Sequence, residues 1–281
     1  MSEISALPSI LTFLFSQESP EFIILAELFK KKMPGIFIKN SFVLIVSLIF
    51  FTTCKKENMC DCIKGTGSAT SETREFSAFD EILVQDKIDV HILNGTNYSA
   101  RIEGGKNVIK LIKTKIENVV LILSDDNRCD FTRSYKKKIT VYITVPCLKQ
   151  LKQDGVGDVY MDDNFVCDTF EYAISNSGNL HLNLNAGVVY GGMHGNGDVF
   201  MKGIVNENTV HAVGQGFYHG FEVNANNVIL TLRTSGKVEV SVNSFFKIDM
   251  LNRSTGDILY KGYPTSIHKN IKGTGKLIDL N

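Results

Sequence analysis

The sequence predicts an all-β fold, a parallel β-helix-like solenoid with coils of about 19–21 residues and an N-terminal cap of mixed β structure. Two observations carry this prediction: a glycine-centred turn recurs seven times in the second half of the chain, and apolar residues alternate after each turn. The composition agrees, because the 281 residues include 23 Gly and only 5 Pro.

The repeated turn has its fullest form, Gly-x-Gly-Asp, at Gly155–Asp158 and Gly195–Asp198. Its second glycine returns every 19 to 21 residues. Helical repeats usually need about 33 residues or more and do not tolerate such glycines. We expect the turn glycines to supply positive φ at the corners of the coils. They are Gly157, Gly178, Gly197, Gly216, Gly236, Gly256 and Gly275.

Side chains alternate after each turn, as they do in a strand. Positions two and four beyond the turn glycine are mostly apolar and should point inward, as with Val199 and Met201. Position three should then point outward. In four successive coils this position carries a ring, which predicts a contact stripe for a partner or glycan. Its members are Tyr160, His181, Phe200 and His219. The alternative is that a loop, or the region 76–135, covers the stripe.

The domain is predicted to span residues 76–281, with the cap at 76–145 and the coils at 146–281. Short strand-like segments separated by Asn-Gly, Gly-Gly and Asp-Asp-Asn fill the cap. A short helix is expected at Val108–Ile116. Such a cap would cover the otherwise open end of the solenoid.

Residues 1–53 predict an upstream segment and a signal peptide for export. Lys30–Lys32 precede an apolar run from Phe42 to Phe51 that is too short for a comfortable membrane span of about 20 residues. Phe51–Cys54 resembles a bacterial lipobox, so Cys54 is the candidate lipidation site. Translation is expected to start at Met33, and residues 54–75 to form a flexible tether. The alternative is an uncleaved anchor, and both interpretations place the domain in the cell envelope, at the outer membrane if it is lipidated.

The cysteines support no firm assignment. Cys60 and Cys62 form a Cys-x-Cys pair, but no second pair follows at the spacing of a zinc site. With Cys54 lipidated, an odd number remains, so at least one thiol is free or bonded to another chain. The five are Cys60, Cys62, Cys129, Cys147 and Cys167.

Several segments together resemble the head-GIN domain of putative autotransporter adhesins, a family common among Bacteroidetes. They are Phe79–Ile82, Pro146–Leu151, the Gly-x-Gly-Asp repeats, Tyr260–Pro264 and Lys272–Gly275. The resemblance covers about residues 76–281. It implies a β-helix-like domain that is exported and often lipid-anchored.

Charge and motifs exclude several classes of function. The 30 basic and 30 acidic residues balance, which argues against a nucleic-acid partner. Asp158, Asp198 and Asp257 lie at corners, but Lys237 takes the same place in another coil. We therefore expect neither a calcium ladder nor any other metal or cofactor. None of the His or Ser residues stands in a hydrolase motif.

Arg233, Arg253 and Lys272 each lie three residues before a turn glycine, so we expect a basic ladder that forms a candidate anion patch. The alternative is an ordinary solvated face. We predict a non-enzymatic exported lipoprotein that presents its side-chain ladders to a protein or glycan. The alternatives are a carbohydrate-binding or polysaccharide-degrading protein, or a structural protein of the envelope.

Overall fold

The computed structural model describes residues 65–127 and 138–281, which belong to one compact unit. This part of the chain contains 17 strands and a single short 3-10 helix, Ile109–Leu111. It contains no helix long and apolar enough to span a bilayer.

Seven strands precede the coils and form a mixed region, in agreement with the predicted cap. They are β1 (Ala69–Glu75), β2 (Glu81–Asp86), β3 (Asp89–Asn94), β4 (Ser99–Gly105), β5 (Ile112–Glu117), β6 (Val120–Asp125) and β7 (Thr140–Val145). Ten strands build the coils that follow. They are β8 (Gln150–Gly155), β9 (Val159–Met161), β10 (Phe165–Ile174), β11 (Leu180–Met193), β12 (Val199–Gly214), β13 (Tyr218–Thr234), β14 (Val238–Met250), β15 (Ile258–Lys261), β16 (Ser266–Ile271) and β17 (Leu277–Asp279).

Successive coils stack in parallel, which confirms the predicted solenoid. The front stack contains the segments that directly follow the turns, and there Leu180 pairs with Val199. The back stack contains the segments that close each coil, and there Met193 pairs with Ala212. Strands β11 to β14 run for 13 to 17 residues because each includes the front segment, a bend and the back segment of one coil.

The N-terminal strands join this stack out of sequence order. Strand β2 pairs in parallel with both β6 and β8 in the back stack. Strand β3 likewise lies between β7 and β9 in the front stack. Strands β1, β4 and β5 make the antiparallel pairings. The predicted cap is therefore mixed, and part of it continues the coils.

Two segments differ from expectation. Ala69–Glu75 lies within the predicted tether but forms a strand along β4, and Arg74 donates to the carbonyl of Ile112 at 2.8 Å. Its side chains are polar on both faces, so hydrophobic patterning gives no signal for it. The helix expected at Val108–Ile116 is wrong: after the short 3-10 turn, strand β5 pairs with β6 and exposes its lysines.

The core is the inside of the coils. The inward positions predicted after the turns are buried through most of the stack, for example Val159, Leu182 and Val238. The largest of these side chains, Tyr218, is fully buried and accepts a hydrogen bond from Asn208 Nδ2 at 2.8 Å. Burial raises the pKa of Tyr218 well above its ordinary value of 10.0. The burial of these positions is lost only in the last coil, where Asp279 occupies one of them and is exposed.

The turn glycines are required for a different reason from the one expected. None of the seven has φ in the positive range, which among the described glycines belongs to Gly67, Gly203, Gly214 and Gly262. Instead, a Cβ added at Gly197 would lie 2.0 Å from the carbonyl oxygen of Gly178, one coil earlier. The same close contact recurs along the column. Glycine is needed because the corners stack too closely for any side chain.

A ladder of aromatic rings beside a cleft

The outward position of the front stack carries a continuous column of six stacked rings. We call it the ring ladder, and its members in order are Tyr142, His91, Tyr160, His181, Phe200 and His219. Neighbouring ring centroids lie 4.4 to 5.1 Å apart, and the planes differ by 3° to 22°. The parallel register sets this geometry, since each coil places its residue directly above the equivalent one.

Charged groups lie at both ends of the ring ladder. The guanidinium of Arg101 lies over Tyr142, with its carbon 4.4 Å from the ring centroid. At the other end, His219 Nδ1 lies 3.0 Å from a carboxylate oxygen of Glu239, and Lys237 contacts the other oxygen at 2.7 Å. Burial alone would raise the pKa of Glu239, but the hydrogen bonds from Lys237 and His219 bring it below 4.5.

The four residues predicted as a contact stripe are therefore brought together, and His91 and Tyr142 join them. These two could not be found from the repeat, because neither follows a glycine turn of the Gly-x-Gly type. They reach the column through strands β3 and β7, which pair across the sequence. The sequence does contain one signal for His91: in Ile88-Asp-Val-His-Ile, apolar and polar residues alternate, which places His91 on the outward side of the strand.

A second outward column runs beside the ring ladder, two residues further along the chain in three coils and three residues further in the coil of His219. It consists of Asp162, Asn183, Lys202 and Glu222. Asn183 pairs with Lys202, and Lys202 pairs with Glu222 across a register shift. Between the two columns lies a cleft of about 610 Å³, which we call the ladder cleft. The inward-pointing Met161, Leu182 and Met201 contribute to its lining.

The rings present their edges to the ladder cleft, because their faces are covered by the neighbouring rings. All four stripe residues are half-buried. Mutual stacking therefore accounts for much of their shielding. An edge offers aromatic C–H groups, ring nitrogens and a phenol hydroxyl, rather than the flat face on which a sugar or base would stack.

His181 differs from the other two histidines of the ring ladder in its hydrogen bonding. His91 Nδ1 contacts Asp162 at 2.8 Å, and His219 is held by Glu239. The nitrogens of His181 have no hydrogen-bond partner in the described chain. Burial lowers its pKa below 6.5, with a smaller opposing effect from Asp158. The neutral imidazole is thus favoured, with one donor and one acceptor available to a ligand.

The corner carboxylates have backbone partners. Asp158 accepts from the amide of Asn179 at 2.9 Å, and Asn179 accepts in the same way from Asp198. Asp198 then accepts from the amide of Phe217 at 2.8 Å. Asp and Asn at this place therefore link each coil to the next through an amide.

The predicted anion patch forms around a shallow pocket of about 240 Å³ that we call the basic pocket. It is lined by Arg233, Leu251, Asn252, Arg253 and Lys272. The three basic residues do not form a simple ladder, because Leu251 takes the rung between Arg233 and Lys272. Arg253 instead lies in the following loop, on the rim of the same pocket.

The remaining predicted residues contribute little here. Cys147 is exposed and Cys167 half-buried, and both are free thiols. Cys54, Cys60, Cys62 and Cys129 lie outside the described residues, and so do the predicted leader and Met33. Within the described chain, no group of three His, Cys, Asp or Glu side chains has the arrangement of a metal site.

The fold defines this protein as a β-solenoid of parallel coils with long outward columns of side chains. Its sequence matches the family described as putative auto-transporter adhesin, head GIN domain, over residues 78–264. The chain belongs to this family, as the sequence resemblance predicted. No curated protein matches the sequence.

Several solved structures have a similar fold. A putative adhesin from Bacteroides fragilis is 24% identical with a TM-score of 0.69, and the match covers 77% of this chain and 100% of that one. A putative adhesin from Parabacteroides merdae is 14% identical, with a TM-score of 0.57 and coverage of 77% and 98%. A putative lipid binding protein from Parabacteroides distasonis is 18% identical, with a TM-score of 0.58 and coverage of 78% and 100%. The match covers the whole of the Bacteroides fragilis chain, so the fold is complete in that protein.

Proposed function

We propose that this protein is a non-enzymatic, lipid-anchored binding protein of the cell envelope that takes its ligand in the ladder cleft. The observation that carries the proposal is the pairing of two outward columns, one of ring edges and one of polar side chains, along a cleft of about 610 Å³. Membership of an adhesin family supports a binding role.

The chemistry of the ladder cleft favours an extended ligand. Each column repeats once per coil, at about 4.8 Å along the solenoid axis. The polar column supplies an amide at Asn183, an ammonium at Lys202 and a carboxylate at Glu222, while His181 supplies unpaired ring nitrogens. A polymer with polar groups repeating along its length, such as a glycan chain, could meet several of these groups at once. Such contacts would be individually weak and collectively selective.

The anchor part of the proposal depends on Cys54. Replacement by serine should abolish labelling of the protein by a fatty-acid analogue and release it from the membrane fraction. A Cys54→Ser variant that stays labelled would show that Cys54 is not the lipidation site. A wild-type protein that is membrane-bound but unlabelled would show that the uncleaved anchor holds it.

The binding part is tested with arrays of glycans and surface proteins, probed with residues 65–281. His181→Phe keeps a stacked ring but removes both nitrogens. We expect it to weaken binding to the recognised ligand about tenfold, the effect of losing one to two hydrogen bonds. His211→Phe, an exposed histidine of the back stack, is the matched control. Binding that His181→Phe leaves unchanged would exclude the ladder cleft as the site.

A further inference from the structure

The basic pocket brings three cations together without compensating acids. Arg233, Arg253 and Lys272 are all exposed and line the same small depression. No Asp or Glu of the described chain lines it, and none of the three basic groups has an ion-pair or hydrogen-bond partner there. Since the chain as a whole is neutral, this concentration of positive charge is local.

The fold sets two of these charges on either side of an apolar side chain. Leu232 pairs with Met250, and Met250 pairs with Ile271. The next residues along these strands, Arg233, Leu251 and Lys272, therefore follow one another across three coils. The outer two are about 9.6 Å apart at the backbone, a span that a bound group can bridge. Leu251 lies between them and is 37% exposed.

The third charge comes from a loop position that does not suit arginine. Ser254 donates its amide to the carbonyl of Leu251 at 3.2 Å, which closes a four-residue turn. Arg253 is the third residue of this turn and has φ of 73°. Glycine or asparagine is the usual residue at such a place, because a Cβ is unfavourable there. A strained residue that completes a cluster of unpaired charges indicates a site that binds something.

We propose that the basic pocket binds a single phosphate group. A tetrahedral oxyanion has enough oxygens for all three cations, and each arginine can donate two parallel hydrogen bonds to it. The volume of about 240 Å³ suits one such group and a small substituent, not a polymer. Leu251 offers an apolar contact to whatever the phosphate is attached to. This site is separate from the ladder cleft, and its residues differ from those of the proposed function.

The phosphate could be free or could belong to a lipid headgroup, so two probes are needed. The first is inorganic phosphate, titrated by calorimetry into purified residues 65–281 at near-physiological ionic strength. The second is a vesicle of phosphatidylcholine with phosphatidylglycerol, compared by co-sedimentation with a vesicle of phosphatidylcholine alone. Binding of inorganic phosphate identifies a free ligand. Binding only of the phosphatidylglycerol vesicle identifies a headgroup.

Arg253→Gly is the central variant, because it removes the charge while relieving the backbone. We expect it to weaken binding of the probe about tenfold and to leave Tm unchanged or slightly higher. Arg253→Lys keeps the charge but loses the paired donors, so its affinity should lie between those of the wild type and Arg253→Gly. Lys269→Gln, an exposed lysine of β16 outside the pocket, is the control for net charge.

Two results would overturn the proposal. One is that neither probe binds the wild type. The other is that Arg253→Gly binds as well as Lys269→Gln does. If Arg253→Gly lowers Tm, Arg233→Gln is tested in its place, because Arg233 is exposed near the end of its strand. Unchanged binding of the probe by Arg233→Gln would also overturn the proposal.

Discussion

His219 Nδ1 lies 3.0 Å from a carboxylate oxygen of Glu239, so the last ring of the ring ladder contacts a carboxylate. Glu239 occupies the next rung of the same column, since His219 pairs with Glu239 in the register. Lys237 bonds the other carboxylate oxygen. The column therefore changes from stacked rings to paired charges within one coil, and the ladder cleft ends at the same place.

Glu239 should make stability depend on acid pH. Its pKa is lower in the folded protein than the ordinary 4.5, so the unfolded chain binds the proton more readily. The stabilisation is present above pH 4.5 and is lost as pH falls through the folded pKa. Glu239→Gln should reduce the free energy of unfolding by about 1 kcal/mol or less at pH 7. Urea denaturation of both proteins at pH 7 and below pH 4 should show the difference between them shrinking at the lower pH, and a difference that stays the same would contradict this explanation.

His181 should act at a higher pH. Burial lowers its folded pKa below 6.5, so its contribution to stability is present above pH 6.5 and is lost as pH falls through the folded pKa. His181→Phe keeps the ring stack but cannot titrate. We expect the wild type to lose stability relative to this variant between pH 7.5 and pH 5, measured by urea denaturation. Parallel curves for the two proteins would show that His181 is not desolvated.

The sequence predicts the coils well because one coil follows the next along the chain. Every member of the predicted stripe has its expected neighbour, since the spacing of the turn glycines fixes the register. The N-terminal strands could not be placed in this way. Strand β3 lies between β7 and β9, and no local pattern encodes a pairing between segments about 50 and 70 residues apart.

The ring ladder and the basic pocket likewise contain residues that local sequence patterns cannot place. His91 and Tyr142 extend the ring ladder only because of that insertion. The basic pocket depends on a different detail, the turn at Leu251–Ser254, which displaces Arg253 from the rung that spacing alone would give it. Equal spacing before the turn glycines therefore predicts that the three basic side chains lie near one another. It does not predict which residues pair between coils where a loop interrupts the strand.

The turn glycines should be intolerant of even one added carbon. At Gly197 a Cβ would lie 2.0 Å from the carbonyl oxygen of Gly178 and 2.8 Å from Ile174 Cδ1, so backbone would have to move to accommodate it. Gly197→Ala should lower the free energy of unfolding by about 1–3 kcal/mol, as overpacking does. Gly192→Ala is the control, because its Cβ would meet nothing closer than 3.5 Å. Equal denaturation midpoints for the two variants would contradict the steric explanation.

Phe200 should stabilise the fold through its two neighbours. Its ring lies 4.6 Å from His181 and 4.4 Å from His219. Phe200→Ala removes both stacking contacts, so we expect a loss of about 1–3 kcal/mol in denaturation experiments. Phe200→Tyr should retain most of the stability. Phe217→Ala, at a ring that is 40% exposed and outside the stack, should cost less than about 1 kcal/mol. Similar losses for the two alanine variants would mean that stacking adds nothing.

The corner acids should stabilise the solenoid without a metal ion. Asp198 accepts the amide of Phe217 at 2.8 Å, and the oxygen of an asparagine side chain can do the same. Asp198→Asn should therefore be close to wild type, while Asp198→Ala leaves an amide unpaired and should cost about 1–2 kcal/mol. Addition of EDTA should not shift Tm in any of the three proteins. If EDTA lowers the Tm of the wild type and Asp198→Asn removes that shift, the carboxylate binds a cation and the backbone explanation is wrong.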